Sequence, residues 1–458
     1  MSSPPIAADD FKQPHRQVWA IAGPAILANS SAPLVGLVDT WAIGHLPSPV
    51  HLAAVGLGSV IFNYLLWAFG FLRMGTTGLV AQARGREDQD ALITTVIRSC
   101  ALALFFALLL LVFQQALLLT SLRLMAPPED VAAITAEYFR IRIWAAPATL
   151  LGYAITGVLF GLARVKSILW LQLLLNLSNG ALNLLFVVGL GMGVPGVAWG
   201  TLVAQVITAI ASIWVLLRLL DVTALKARIA SAATWRLRRF GQLIFVNGFI
   251  FIRTIFLMTA LSLIMRVAGG MGEVEMAASH VIMQFLLLIS LGLDGFAHAA
   301  EALAGAAWGT GKRAVFRRWV ILTTQWALFT SLFYMALFWL GGNAITAMLT
   351  DLPEVREQVG ILMPWVIALP LVSVWCYQFD GIFIGATAAL AMMVTMGLAF
   401  IAYIALINPL TMQWGLSGLW AAVLVFMGLR GLFQAAWYPF LERRLGYDNE
   451  RAGNTPRP

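Results

Sequence analysis

The chain has 458 residues, 60% of them hydrophobic and only 11% charged, with a mean hydropathy of +0.86. A soluble globular domain carries about 25% charged residues, so this composition excludes an ordinary water-soluble fold. The formal net charge of +8 is distributed between apolar runs rather than on one basic surface, which argues for membrane topology over nucleic-acid binding.

A spanning helix needs roughly 20 apolar residues, and the sequence offers twelve such segments. Residues 1–17 are polar, contain Asp9 and Asp10, and lack the basic-then-apolar layout of a cleaved signal. They are expected to form a cytoplasmic tail. The spans are predicted near 18–44, 51–72, 91–119, 133–160, 167–191, 194–219, 241–267, 275–300, 316–341, 358–383, 386–408 and 415–440. Residues 441–458 form a second cytoplasmic tail. The predicted fold is therefore all-α and integral to the membrane, with a first lobe over 18–220, a basic cytoplasmic linker over 221–240 and a second lobe over 241–440.

The polar residues inside these spans carry the functional information. The first span holds Asp39, in the run Leu34-Val35-Gly36-Leu37-Val38-Asp39. A carboxylate in lipid costs at least about 2.5–3.5 kcal/mol, so it is retained with a partner, a cation or a proton. Pro24 and Pro33 lie in the same span; each removes a backbone donor and allows the helix to bend. Arg73 ends the second span. The fifth carries Asn176, Asn179 and Asn183, whose i, i+3, i+7 spacing puts them on one face. Thr201 and Gln205 lie one turn apart on the sixth. These groups form an expected polar shell for Asp39 or for a cation, set against the plainer reading of interhelical hydrogen bonds. In the second half, Asp294, His298 and Glu301 share a face at the end of the eighth span, and Asp380 ends the tenth. Arg73 is expected to pair with Asp294 or Glu301 near the cytoplasmic side, with Asp380 a further gating charge. Cys100 and Cys376 sit in apolar runs and imply neither a disulfide framework nor a metal site. No cofactor is expected.

With the N-terminus inside and the sides alternating, 20 of the 29 Lys and Arg residues fall on inner segments and 5 on outer ones. That bias predicts cytoplasmic termini and an even number of spans. The chain is also doubled. Leu52-Ala53-Ala54 to Ala83-Arg84-Gly85 resembles Met276-Ala277-Ala278 to Ala307-Trp308-Gly309 at a shift of 224 residues. Gly157-Val158-Leu159-Phe160-Gly161 matches Gly381-Ile382-Phe383-Ile384-Gly385 at the same shift, and Gly193-Val194-Pro195-Gly196 matches Gly415-Leu416-Ser417-Gly418 at 222. Even numbers of spans per half relate the halves by an axis along the membrane normal, an arrangement common among transporters.

Gly23-Pro24-Ala25-Ile26, Gly36-Leu37-Val38-Asp39-Thr40 and Gly70-Phe71-Leu72-Arg73-Met74-Gly75-Thr76-Thr77-Gly78 resemble the multidrug and toxic compound extrusion (MATE) family in its DinF-like branch. Asp294-Gly295-Phe296-Ala297, Ala300-Glu301 and Asp380-Gly381-Ile382-Phe383-Ile384-Gly385-Ala386-Thr387 extend the match into the second half. The resemblance implies two six-helix lobes in a V shape and export of organic compounds, cationic or amphipathic, against inward H+ or Na+. It implies a monomer in a bacterial-type cytoplasmic membrane, with a small-molecule substrate, H+ (or Na+) and membrane lipid as partners and no nucleic acid. It also implies that Asp39 couples, with Asn179 and Thr201 at matching shell positions. Many relatives carry a second carboxylate one turn after Asn179; Asn183 stands there in this chain. An amide carries neither a proton nor a full charge, which favours proton coupling through Asp39. Two alternatives are a lipid-linked-precursor flippase, which needs a strongly cationic cavity, and a membrane-embedded enzyme. The five scattered histidines (His15, His45, His51, His280, His298) supply little for the latter.

Overall fold

The computed structural model describes residues 13–44, 48–236 and 240–453; for 32–44 and 446–453 it describes the backbone alone. The described elements are helical. In chain order they are α1 (Pro14–Gly44), α2 (Pro49–Trp67), α3 (Phe71–Gly85), α4 (Gln89–Val112), α5 (Gln114–Met125), α6 (Glu129–Arg142), α7 (Ala146–Gly161), α8 (Val165–Asn183) and α9 (Gly193–Leu219). There follow α10 (Val222–Ala230), α11 (Gly241–Met271), α12 (Glu273–Gly309), α13 (Arg313–Leu349), α14 (Pro353–Gly385), α15 (Ala389–Trp414) and α16 (Leu416–Gly453). Joining α2 to α3, α6 to α7 and α8 to the turn after it, eleven helices among the described residues are long and apolar enough to cross a membrane. The 31-residue α1 stands beside them as a twelfth long helix.

Several elements depart from the sequence-based boundaries for identifiable reasons. The second span runs on to Gly85, because the polar residues Thr76, Thr77 and Gln82 are buried rather than solvated. The third is interrupted at Phe113, whose backbone (φ −93°, ψ 10°) separates α4 from α5. The 221–240 segment is not a plain loop. Asp221 caps α10 by accepting from the Thr223 and Ala224 amides, as an N-cap aspartate does. Arg228 then pairs with Asp90, and Arg98 donates to the Thr234 carbonyl at 3.1 Å.

The repeat read from the sequence is a repeat of backbone geometry. Left-handed residues recur at Glu87 and Gly311, at Ala163 and Thr387, and at Gly193 and Gly415, at the same 224- or 222-residue shifts. The Gly-x-x-x-Gly motifs explain why the repeat is conserved within the chain: they are sites of close helix approach. A Cβ at Gly157 would collide with the Arg73 carbonyl, and one at Gly161 with Val80. The equivalent Gly381 lies against the Ala297 carbonyl and Gly385 against the Glu301 carbonyl.

The chain separates into two compact units. One comprises residues 27–80 and 88–244; the other comprises 1–26, 81–87 and 245–458. In α1 the boundary falls between Ile26 and Leu27, just past Pro24, where the missing proline N–H leaves the Ala20 carbonyl without its helical donor. Within the second unit Trp19 packs edge-on to Phe296 and Trp326, and the Trp326 indole donates to His15 at 3.1 Å.

The short segment 81–87 joins that unit through a reciprocal crossing. Gly85 lies against the Ala306 carbonyl and Gly309 against the Gln82 carbonyl; both pairs are related by the 224-residue shift. Gln82 donates to the Gly385 carbonyl (2.9 Å) and to Thr387 Oγ1 (3.1 Å), and Arg84 to the Ala302 carbonyl (2.8 Å). Since any side chain at Gly309 overlaps backbone rather than a movable group, Gly309→Val is expected to cost at least about 1–3 kcal/mol of stability, the usual range for overpacking. A lowered melting temperature in detergent checks this, beside Gly270→Val, where a Cβ meets open space.

Candidate functional site

In the first unit, α8 presents its three asparagines as a hydrogen-bonded ladder. Asn176 Nδ2 donates to Ser31 Oγ of α1 at 2.8 Å and its Oδ1 accepts from Gln172 at 3.0 Å. Asn179 donates to Thr201 Oγ1 of α9 at 3.1 Å, and Asn183 donates to Asn179 at 3.4 Å. The predicted shared face therefore exists, and it ties α8 to both α1 and α9. Gly200 makes this possible: its missing Cβ leaves room for the Asn183 carboxamide. The backbone then changes character. Leu184–Gly189 is π-helical, a distortion that accumulates at functional sites and that no sequence signal announced. Asp39 and Pro33 belong to α1, but their side chains lie outside the described residues.

Thr201 and Gln205 also line a small cleft, with Phe62, Leu66, Arg142, Ala145, Ala146 and Thr149. Ala145 in its lining belongs to one of two short breaks in the spans of this unit. A 3₁₀ turn at Ala68–Gly70 separates α2 from α3, and another at Ile143–Ala145 separates α6 from α7. Irregular backbone at membrane depth is tolerated where it lines a cavity. Gly58 accommodates the buried Tyr138 ring, and Arg142 lies 4.7 Å from the Phe62 ring centre while donating to the Tyr138 hydroxyl at 2.6 Å.

In the second unit, Asp380 forms the centre of a buried charge cluster. Arg253 of α11 and Arg430 of α16 both bind its Oδ2, the latter at 3.0 Å, and Gln434 donates to its Oδ1 at 2.7 Å. Both arginines are 4% exposed. Arg430 turns its other terminal nitrogen toward the Met427 sulfur at 3.1 Å, a weak acceptor. Sequence reasoning assigned Asp380 to gating and named no partner for it. The signal that joins it to the two arginines is that in-span charges require compensation, and Asp380 is one of few acids available to this half. Of the other predicted gating charges, Glu301 is buried 3.2 Å from His298 Nδ1. Arg73 lies over the Phe160 ring at 5.4 Å, and Asp294 is half-buried on α12.

Comparison with known proteins agrees with this architecture. The MatE family model matches residues 24–185 and again 250–409, once in each sequence half. The chain is 33% identical over 423 residues to the DNA damage-inducible protein F of Escherichia coli, covering 92% of this chain and 91% of that one. It is 27% identical to the chloroplastic protein DETOXIFICATION 44 of Arabidopsis thaliana, covering 92% and 81%. A crystal structure of a MATE protein in complex with MaD3S superposes with a TM-score of 0.83 at 18% identity, covering 95% of this chain and 97% of that one. This chain is a member of the MatE family. It is accordingly a multi-pass membrane transporter and not an enzyme, within a family of multidrug and toxic compound efflux transporters whose members couple to cations.

Proposed function

We propose that this protein is a secondary active exporter of organic compounds, cationic or amphipathic, that exchanges them for inward H+ by alternating access through Asp39. It acts as a monomer in a bacterial-type cytoplasmic membrane with both termini in the cytoplasm. The observation that carries the coupling assignment is the neutrality of the α8 ladder. Asn176, Asn179 and Asn183 bond to hydroxyls and to one another, so the shell supplies dipoles but no second carboxylate. The other acids between residues 27 and 244 are Glu87, Asp88, Asp90, Glu129, Asp130, Glu137 and Asp221. Asp88 and Asp221 cap helices, Glu129 and Asp130 open α6, and Glu137 is exposed. A lone carboxylate among neutral dipoles suits a proton better than Na+, which favours several hard oxygen ligands and a compensating negative charge.

The second half does not offer a lipid-pyrophosphate flippase the free cations it needs, since Arg253 and Arg430 are committed to Asp380. The polar residues Arg73, Asp294 and Glu301 are assigned to gating, and Pro24 and Pro33 to bending of α1.

Proteoliposomes loaded with a pH-sensitive dye test the reading. Adding an exported organic compound is expected to move protons in the opposite direction, with no requirement for Na+. Transport that needs Na+ and leaves the internal pH unchanged would reject H+ coupling. Asn183→Asp restores a second carboxylate one turn from Asn179 and is expected to add Na+ dependence to both transport and thermal stability. An unaltered response to Na+ in this variant would count against the ladder as the cation site.

A further inference from the structure

Between the sixth and seventh spans the chain makes one short helix whose surface is sorted by chemistry. Only Leu220 separates the end of α9 from the Asp221 that caps α10, so α10 starts within about 7 Å of a membrane span. Two anchors fix its rotation. Arg228 pairs with Asp90 of α4, and Arg98 donates to the carbonyl of the buried Thr234 at 3.1 Å. Half-buried Arg228 and Ala224 therefore face the protein. At about 100° per residue, Leu225, Ile229 and Val222 come next around the helix in an arc of about 60°. Lys226 follows, and Thr223 and Ala227 lie beyond it. Val222 and Ile229 are 39% and 48% exposed. Trp235, 45% exposed, donates its indole N–H to the Ile229 carbonyl at 2.8 Å, which holds its ring against the last turn of α10. Lys226 and Arg236 are exposed as well.

We propose that α10 lies in the bilayer interface and holds anionic phospholipid headgroups with Lys226 and Arg236. The apolar stripe enters the acyl boundary, the cations meet phosphate, and Thr223 and Ala227 face water, the layering of an interfacial amphipathic helix. Continuity argues for lipid as the occupant. The last turns of α9 expose Ile210, Ile213, Trp214 and Leu217, and Arg218 lies over the Trp214 ring at 5.2 Å. Aromatic and basic residues together border a membrane–water boundary, and Val222 stands just past this border. Apolar residues scattered singly on a surface need no explanation; these share one arc with a tryptophan at its end and a basic edge beside it. The proposal rests on the membrane topology, with the linker on the cytoplasmic side, where anionic lipids attract basic segments.

The two native cysteines are replaced (Cys100→Ala, Cys376→Ala), and single nitroxide labels are introduced through Val222→Cys, Ile229→Cys, Thr223→Cys and Ala227→Cys. Where Cys376→Ala fails to fold, Cys376 stays, because it is fully buried and escapes the label. The full-length protein is reconstituted in nanodiscs of phosphatidylcholine and phosphatidylglycerol. Labels at 222 and 229 are expected to favour collisions with oxygen, which partitions into lipid, and labels at 223 and 227 with a water-soluble nickel chelate. Equal chelate access at all these positions overturns the proposal. So does protection of 222 and 229 from both reagents, which would mean that a second copy or another protein segment covers the stripe. Native mass spectrometry then titrates phosphatidylglycerol onto the detergent-purified protein. Lys226→Gln with Arg236→Gln is expected to weaken the tightest binding by roughly tenfold or more, at about fivefold for each basic residue near an anionic surface. Lys226→Arg with Arg236→Lys should keep the affinity, as should Arg123→Gln, at an exposed arginine elsewhere in the chain. Gel filtration and melting temperature verify that each variant folds. Unchanged affinity in the double glutamine variant overturns the proposal. Neither measurement uses a gradient or a substrate, so a failure of H+ coupling leaves both untouched, and a linker on the outer side would refute the topology alone.

Discussion

Asp380→Asn is expected to destabilise the protein by about 3–5 kcal/mol, the range found when one partner of a buried ion cluster is removed. The reason is asymmetric. The carboxylate accepts from Arg253, Arg430 and Gln434; its loss strands two guanidiniums from which water is nearly excluded. Desolvating those charges already costs several kcal/mol each, and the carboxylate is what offsets it. By the same argument the cluster is not a large net source of stability. Replacing all three charges together, with Arg253→Met, Asp380→Leu and Arg430→Met, is expected to recover most of the loss. Thermal unfolding of the wild type, Asp380→Asn and the triple variant in detergent measures the effect. A triple variant as unstable as Asp380→Asn would mean that the cluster holds α11, α14 and α16 together beyond charge compensation. If the triple variant folds but no longer transports, the cluster serves conformational change rather than folding.

Asp39→Asn is expected to reduce substrate-driven proton exchange to the level of protein-free liposomes while leaving equilibrium substrate binding within a few-fold. The substitution preserves shape and hydrogen-bonding capacity but cannot release a proton. The α8 ladder supports this split. Asn176 reaches α1 through Ser31, and Asn179 reaches α9 through Thr201, so these bonds of the ladder are made without the carboxylate and do not require a charge at position 39. Exchange at wild-type rates in the variant would refute Asp39 as the coupling group. Loss of binding together with exchange would instead make it a substrate ligand.

The sequence by itself determined the membrane class, the helical fold and the doubling, because each depends on local composition or on a period. Apolar run length sets the number of spans, and a repeat at 224 residues survives in glycines that the backbone cannot replace. The shared face of Asn176, Asn179 and Asn183 was legible for the same reason: helical spacing alone defines it. Which helix each asparagine bonds was not. That follows from how Gly200 lets α9 approach α8, a contact between residues with no sequence pattern linking them.

Tertiary structure alone decided the charges. Arg142 is one of the five basic residues that charge sorting by span ends places on outer segments. The 3₁₀ break after it and the Phe62 ring beside it turn the same residue into the lining of a small cleft. Arg253, Asp380 and Arg430 are 50 to 177 residues apart in the chain and become one cluster when α11, α14 and α16 pack. A buried charge declares that it needs a partner, but in a sequence nothing says which one, since pairing is fixed by the distances that packing creates.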